Sequence, residues 1–421
     1  MAFQRRDFLK LAAAGIGAAA LGACAAPAGK RKAHVVVVGG GFGGATTAKY
    51  IRMWGPDIEV TLIERNPNFI SCPFSNLVIG GSKTMADITH NYDALRSKYG
   101  VNIVQAEVTG INPGKRTVTT SNGVVSYDRL VLSPGIDFMY DTLPMLASAE
   151  AQEQVPHSWK AGPQTVILRK QLEAMKNGGV YVLSIPKAPY RCPPGPYERA
   201  CQVAYYLKTT KPRSKVIILD ANPEVTSKKG LFMKVWAEMY PGIVEYKPNN
   251  AALHVDVATR TIKSEFEKIK ADVLNVVPPQ KAGTVAALAG VVNVDNRWCA
   301  VDFTSYESKA QKNIHVIGDA ISAPLPKSGH MANQTGKIAA GAIVALVNGD
   351  PVYANPKFAN TCYSFVDNKQ AVNVAGVFAY DPEKKTMVGI KESSGVSNAP
   401  SEIEGGYAQA WASNIWNDVL K

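Results

Sequence analysis

The chain has 421 residues, 46% of them hydrophobic and 19% charged, which is enough apolar material for two or three cored domains and excludes a disordered chain. Lysine and arginine outnumber aspartate and glutamate 46 to 34, a formal excess of +12. No dense basic run with interleaved aromatics accompanies that excess. It reads as a solvated surface with room for an acidic protein partner, and nucleic acid is excluded as a ligand.

In chain order, Gln4-Arg5-Arg6-Asp7-Phe8-Leu9-Lys10 precedes an uncharged Ala/Gly-rich stretch, residues 11–29. The pattern resembles a twin-arginine export signal, assigned to residues 1–28. The stretch is broken by Pro27 and is only weakly apolar for a spanning anchor. Cleavage after Ala26-Pro27-Ala28 and lipidation at Cys24 both remain open, cleavage being preferred. Such a signal carries folded, cofactor-loaded proteins, so it implies a prosthetic group and an oxidising, periplasmic destination for the cysteines.

Residues 34–38 are a buried-type apolar run, followed by Gly39-Gly40-Gly41-Phe42-Gly43-Gly44, helix-forming residues 45–54 and a second strand, 58–63, ending at Glu64. A weaker echo of this βαβ unit has strands at 180–185 and 215–219, a helix near 197–209 and an acid, Asp220, in the place of Glu64. His315-Val316-Ile317-Gly318-Asp319 marks a return to the first fold, and short strand-like runs follow residue 350. The expected class is α/β: two Rossmann-like FAD/NAD(P)-type domains, the second inserted in the first, with a smaller C-terminal α+β domain. The corresponding boundaries are 29–150 and 286–349 for the FAD-binding domain, 151–285 for the degenerate second domain and 350–421 for a C-terminal interface domain.

In Gly39-x-Gly41-x-x-Gly44 the first glycine permits the tight turn, the second lets a pyrophosphate approach the backbone and the third lets helix and strand pack closely. The helix N-terminus offers unpaired N–H groups to the phosphates, and Glu64 is placed to accept from ribose hydroxyls. Arg65 and Val108 complete the expected lining. Gly318-Asp319-Ala320 resembles the segment that two-domain flavoproteins set on the ribityl chain, so the expected dinucleotide is FAD; a helix N-cap is a compatible second role for Asp319.

The second unit lacks a glycine turn. Residues 185–196 read Ile-Pro-Lys-Ala-Pro-Tyr-Arg-Cys-Pro-Pro-Gly-Pro, where five prolines remove N–H donors and side chains fill pyrophosphate space. Nicotinamide binding is therefore not expected. Cys192 stands in this loop just before a helix, where the dipole, Lys187 and Arg191 would favour a thiolate. Cys362 is its candidate redox mate; a structural disulfide or two buried thiols is the competing assignment. Cys201 and Cys299 read as core residues. The six histidines show no paired metal-ligand spacing, and no metal is expected.

With these residues in view, the chain closely resembles the flavoprotein subunits of flavocytochrome c sulfide dehydrogenases, relatives of the sulfide:quinone oxidoreductases. The resemblance rests on Ser71-Cys72-Pro73-Phe74-Ser75-Asn76, the Cys192 loop, residues 276–282, Gly318-Asp319, Pro326-Lys327-Ser328-Gly329 and Cys362. It implies a thioether from Cys72 to the flavin 8α-methyl carbon, which spacing alone does not show. It implies a redox disulfide between Cys192 and Cys362, with Glu198 as proton acceptor; a first-turn carboxylate that only complements the helix dipole is the rival role for Glu198. It further implies that hydrosulfide opens the disulfide, that the flavin takes the electrons, and that Lys327 with the following helix N-terminus stabilises charge on the reduced ring. No Cys-x-x-Cys-His haem motif occurs, so the haem belongs to a separate c-type cytochrome subunit.

Two rival functions are kept. A sulfide:quinone oxidoreductase would need a membrane-inserting foot, and Ala408, Trp411, Ala412, Ile415, Trp416 and Val419 form an apolar helical stripe that reads instead as core or subunit packing. No stable membrane insertion is expected. A non-catalytic FAD electron carrier is the second rival.

Overall fold

A computed structural model describes residues 31–421; the expected export signal, with Arg5, Arg6 and Cys24, lies outside the described residues. Strand β1 (Ala33–Val38) is buried along its whole length, because it is paired on both sides in a parallel sheet covered on both faces. Helix α1 (Phe42–Trp54) and strand β2 (Ile58–Glu64) complete the first unit. Strands β3 (Asn102–Gln105) and β4 (Arg129–Leu132) join the same sheet, in which residue 36 faces residues 61 and 130 of its two neighbours.

A second parallel sheet begins with β5 (Val180–Ile185), crosses over through α2 (Gly195–Thr210) to β6 (Lys215–Asp220), passes α3 (Lys229–Met239) to β7 (Val244–Lys247) and ends with β8 (Val273–Val276). Its strand order is β7-β6-β5-β8. The echo seen in the sequence is a true repeat: β5 pairs with β6 from Val180↔Lys215 to Ile185↔Asp220 just as β1 pairs with β2.

The chain then returns to the first sheet as β9 (Ile314–Val316), giving the order β9-β4-β1-β2-β3, all parallel. Helix α4 (Gly329–Asn348) follows, capped by the Ser328 hydroxyl, which accepts from the amide of Met331. An antiparallel sheet of β10 (Lys357–Phe365), β11 (Ala371–Asp381) and β12 (Thr386–Val396) precedes the last helix, α5 (Glu402–Leu420). The fold is mixed α/β with two Rossmann-like sheets. The apolar stripe of α5 packs inward: Ala408, Ala412 and Val419 are fully buried, and Ile415 nearly so. Among the described residues no helix is long and apolar enough to cross a membrane.

Candidate active site

The three glycines of the first turn occupy three different environments. Gly39 has φ +96°, and a Cβ there would lie 2.4 Å from the carbonyl oxygen of Ser133. A Cβ on Gly44 would lie 1.8 Å from the carbonyl oxygen of Gly39, so only glycine lets α1 meet β1. A Cβ on Gly41 would meet nothing within 4 Å: the space in front of it is open and belongs to a groove of about 450 Å³. Glu64, Arg65, Val108, Gly318 and Asp319 line that groove as well.

Two observations show that a dinucleotide fits here. The first is the clear space at Gly41 against the start of α1. The second is Asp319, whose Oδ1 is buried without a hydrogen-bond partner and whose carboxyl is pushed up by burial, with Arg191 and Lys327 opposing the shift. An orphaned buried carboxylate oxygen is costly unless a ligand hydroxyl meets it. Glu64 contributes less freely than expected: one oxygen accepts the amide of Gly40 at 2.7 Å, and the other accepts the backbone and side-chain nitrogens of Asn66. Lys160, which the sequence did not mark, pairs with Asp137 at 3.2 Å on the groove wall.

A second cavity of about 90 Å³ abuts the groove, sharing Cys72, Pro73, Arg191 and Gly329 as lining. Cys72, Cys192 and Cys362 all line it, together with Glu198. All five cysteines among the described residues are free thiols. Cys201 and Cys299 are fully buried elsewhere, the former accepting a hydrogen bond from the indole of Trp236 at 3.3 Å.

Local structure explains how each sulfur gets there. Cys72 sits in a turn whose carbonyl accepts from both the amide and the hydroxyl of Ser75, at 3.0 and 2.7 Å. The neighbouring Ser71 hydroxyl accepts the indole N–H of Trp416 at 3.0 Å, so α5 pins the turn. Cys192 holds a left-handed conformation, φ +59°, that a side chain rarely adopts. Its amide donates to the carbonyl of Lys327 at 2.7 Å and its carbonyl accepts from Gly195 at 2.8 Å, which over-determine the strained residue. Cys362 lies in β10, and the adjacent Thr361 amide donates to Nδ1 of His330 at 3.0 Å.

Glu198, in the first turn of α2, accepts from Asn76 Nδ2 at 2.8 Å and from the Phe365 amide at 2.9 Å. Burial pushes its carboxyl up, against those hydrogen bonds and the charges of Lys228 and Arg199. Arg199 is wholly buried and donates to Asn76 and Asn275 and to the carbonyls of His157 and Ser158, at 2.6–3.0 Å.

The structure departs from two electrostatic expectations. Burial pushes the Cys192 thiol well up, and the charges of Cys362 and Glu198 push the same way; Arg191 and Lys228 oppose them, while Lys187 is exposed to solvent and takes no part. The electropositive setting read from the sequence is therefore outweighed by desolvation. Lys327, expected beside the flavin ring, turns its ammonium to the carbonyls of Asp319 and Ile321, at 2.8 and 2.7 Å, and over the ring of Trp298 at 3.9 Å. Burial brings it down to about 8.

The second Rossmann-like unit has closed its own acid end. Asp220 is fully buried, and its oxygens accept from Tyr197 at 2.7 Å, Tyr246 at 3.0 Å and both nitrogens of Asn222. The carboxylate that would meet a nicotinamide nucleotide's ribose is thus consumed internally, in keeping with the proline-rich loop above it.

Comparison with known proteins agrees with this geometry. Residues 165–278 match the family described as sulfide dehydrogenase [flavocytochrome c] flavoprotein chain, central, and residues 354–420 match flavocytochrome c sulphide dehydrogenase, flavin-binding. Residues 33–160 match pyridine nucleotide-disulphide oxidoreductase. The sulfide dehydrogenase [flavocytochrome c] flavoprotein chain of Chlorobaculum thiosulfatiphilum is 66% identical over 45 residues, 11% of this chain and 94% of that sequence. The sulfide-quinone reductase of Aquifex aeolicus is 26% identical over 378 residues, 83% of this chain and 84% of its own. The crystal structure of the sulfide:quinone oxidoreductase from Aquifex aeolicus superposes with a TM-score of 0.75 at 22% identity, covering 92% of this chain and 91% of that one, a likeness of fold. This chain belongs to the family of flavocytochrome c sulfide dehydrogenase flavoprotein chains.

Proposed function

We propose that the chain is an FAD-dependent sulfide dehydrogenase that works by opening a Cys192–Cys362 disulfide. The observation that carries this reading is that Cys72, Cys192 and Cys362, far apart in sequence, line one cavity abutting a groove fitted for a dinucleotide. Membership of the family supports sulfide as substrate and FAD as cofactor.

In this mechanism hydrosulfide attacks the disulfide: the S–S bond breaks, one cysteine becomes a persulfide and the other leaves as a thiolate with the bonding pair. Glu198, raised by burial and open to the cavity, takes the substrate's proton. Bound FAD supplies the two-electron acceptor that lets the disulfide re-form as sulfur leaves. The Gly39–Gly44 turn, Glu64 and Asp319 would hold its adenosine and ribityl parts, and Cys72, which borders both spaces, would be the residue for a thioether to the flavin.

The electrons pass to a c-type cytochrome subunit. The name of the Chlorobaculum relative supports that acceptor, and Ala408, Ala412, Ile415 and Val419 of the α5 stripe are buried in the fold, which supports core packing over a membrane foot for them. Export to the periplasm by the Arg5-Arg6 signal belongs to the same reading. Anaerobic addition of sulfide to purified protein, with cytochrome c and a quinone analogue as competing acceptors, tests it. Flavin absorbance at long wavelength should bleach and recover with cytochrome c alone; a flavin that sulfide leaves unbleached refutes the reading and returns the chain to an electron carrier.

A further inference from the structure

Lys228 has no role in the mechanism above, and its position is costly. It is 8% exposed, holds φ +56° and sits at the N-cap of α3, where the helix dipole opposes a cation. Its Nζ donates to the carbonyl oxygen of Cys362 at 2.9 Å and to Oγ of Ser364 at 2.8 Å. Among the described residues no carboxylate lies within ion-pair distance of it. A buried ammonium with two neutral acceptors and no anion is unstable unless negative charge develops close by. Burial brings the Lys228 ammonium down, and the charges that oppose this are those of Cys362, Glu198, Cys192 and Glu404, in that order. Glu198 shares this attraction, with its oxygens also engaged by Asn76 and Phe365, and the Cys362 sulfur, whose own carbonyl holds the ammonium, ranks ahead of it.

The two sulfurs are treated differently. Lys228 is the foremost charge favouring thiolate at Cys362, whereas at Cys192 it ranks behind Arg191, and Cys362 and Glu198 oppose both. Arg191 in turn spends its guanidinium on the carbonyl of Trp159.

We propose that Lys228 is a positioning residue that polarises the Cys192–Cys362 bond: its ammonium holds negative charge on the Cys362 sulfur, so an attacking sulfur anion joins Cys192 and expels Cys362. In the step, the bond between the two cysteines breaks and a bond from the incoming sulfur to Cys192 forms. The incoming sulfur is oxidised, Cys362 is reduced, and the electron pair of the broken bond stays on Cys362. The better-stabilised thiolate leaves faster, which gives the reaction its direction. This rests on the disulfide reading above.

Sulfite, a sulfur anion that opens disulfides by the same displacement, provides the test, because an acid quench protonates the released thiolate and traps the S-sulfonate on the cysteine it joined. Oxidised holoprotein is treated anaerobically with sulfite, quenched in acid, alkylated and digested, and the S-sulfonate is located by mass spectrometry. In the wild-type chain it should reside on Cys192 over Cys362 by severalfold, because the better-stabilised thiolate is the faster leaving group. Lys228→Met should bring the ratio close to unity, and Lys228→Arg should restore it; a role in packing alone would move the melting temperature without moving the site of the adduct. S-sulfonate mainly on Cys362 in the wild-type chain, a result that needs no variant to fold, overturns the proposal while leaving the disulfide standing. No adduct on either cysteine, with both alkylated, overturns the disulfide reading itself.

Discussion

The carboxylate of Glu198 accepts the backbone amide of Phe365 at 2.9 Å, joining the helix that follows the Cys192 loop to the strand that carries Cys362. A single side chain thus ties together the two segments that bring sulfur to the cavity, and does so with an acid that burial has made weaker.

Replacing Glu198 with Gln should therefore have two separable effects. The substituted amide can still accept from Phe365 but sets a donor against Asn76, costing roughly 1–3 kcal/mol of stability, read as a lower denaturation midpoint. Loss of the proton acceptor should lower kcat/KM for sulfide by about a hundredfold or more, and should abolish the rise of activity with pH as the carboxyl ionises, a rise that begins above the usual carboxylate range in the wild-type chain. An unchanged acid limb in Glu198→Gln assigns the proton transfer to another group.

Cys192→Ser and Cys362→Ser should each bind FAD normally yet lose sulfide-driven bleaching by about a thousandfold or more, because a serine oxygen cannot accept attack as a disulfide sulfur does. Stopped-flow absorbance after anaerobic sulfide addition checks this.

Cys72→Ala should leave the flavin in the groove but release it to the supernatant on acid precipitation. The yellow colour of the wild-type pellet, and its absence from the mutant pellet, is the measurement; colour retained in the mutant pellet removes the thioether.

The two glycines at the start of α1 should respond differently. Gly44→Ala forces a Cβ to within 1.8 Å of a backbone oxygen, and should prevent folding or cost several kcal/mol. Gly41→Ala meets nothing within 4 Å and should melt like the wild-type apoprotein, yet the methyl would occupy the pyrophosphate's space and weaken FAD binding. Apoprotein melting and flavin titration together distinguish the two.

Acid should unfold the protein partly through two histidines. His157 is brought down to about 3 and His315 to about 4, both chiefly by burial. Below the ordinary histidine value near 6.5 the unfolded chain takes up protons that the folded chain refuses, so stability falls as pH drops from about 6.5 towards 4. Each group should contribute up to about 1.4 kcal/mol per pH unit in that window. Denaturant midpoints measured across it should decline, and His315→Gln should flatten the slope.

The first βαβ unit was legible because its signals are local: an apolar run, a glycine turn, a helix and an acid lie within β1, α1 and β2. The repeat at β5–α2–β6 was legible for the same reason, whereas the closure around Asp220, made by Tyr197 and Tyr246 from other elements, was not. Lys228 and Arg199 were not legible, because their partners lie far away in the chain: Cys362 and Ser364 for one, Asn76, His157 and Asn275 for the other. The place of Lys228 at a helix N-terminus, against the dipole, is itself a finding of the structure. The orientation of Lys327 was also out of reach, since the carbonyls that take its ammonium are presented by the turn after β9.

By itself the sequence determined the α/β class and the dinucleotide turn, because these depend on periodicity and on the backbone freedom of residues adjacent in the chain, and its motifs carried the resemblance to a family. Only the tertiary structure decided that Cys72, Cys192 and Cys362 share one cavity, and that burial, rather than the neighbouring basic residues, governs the ionisation of Cys192 and Cys362. The reason is that desolvation and Coulomb interaction depend on distance through space, which chain separation does not encode.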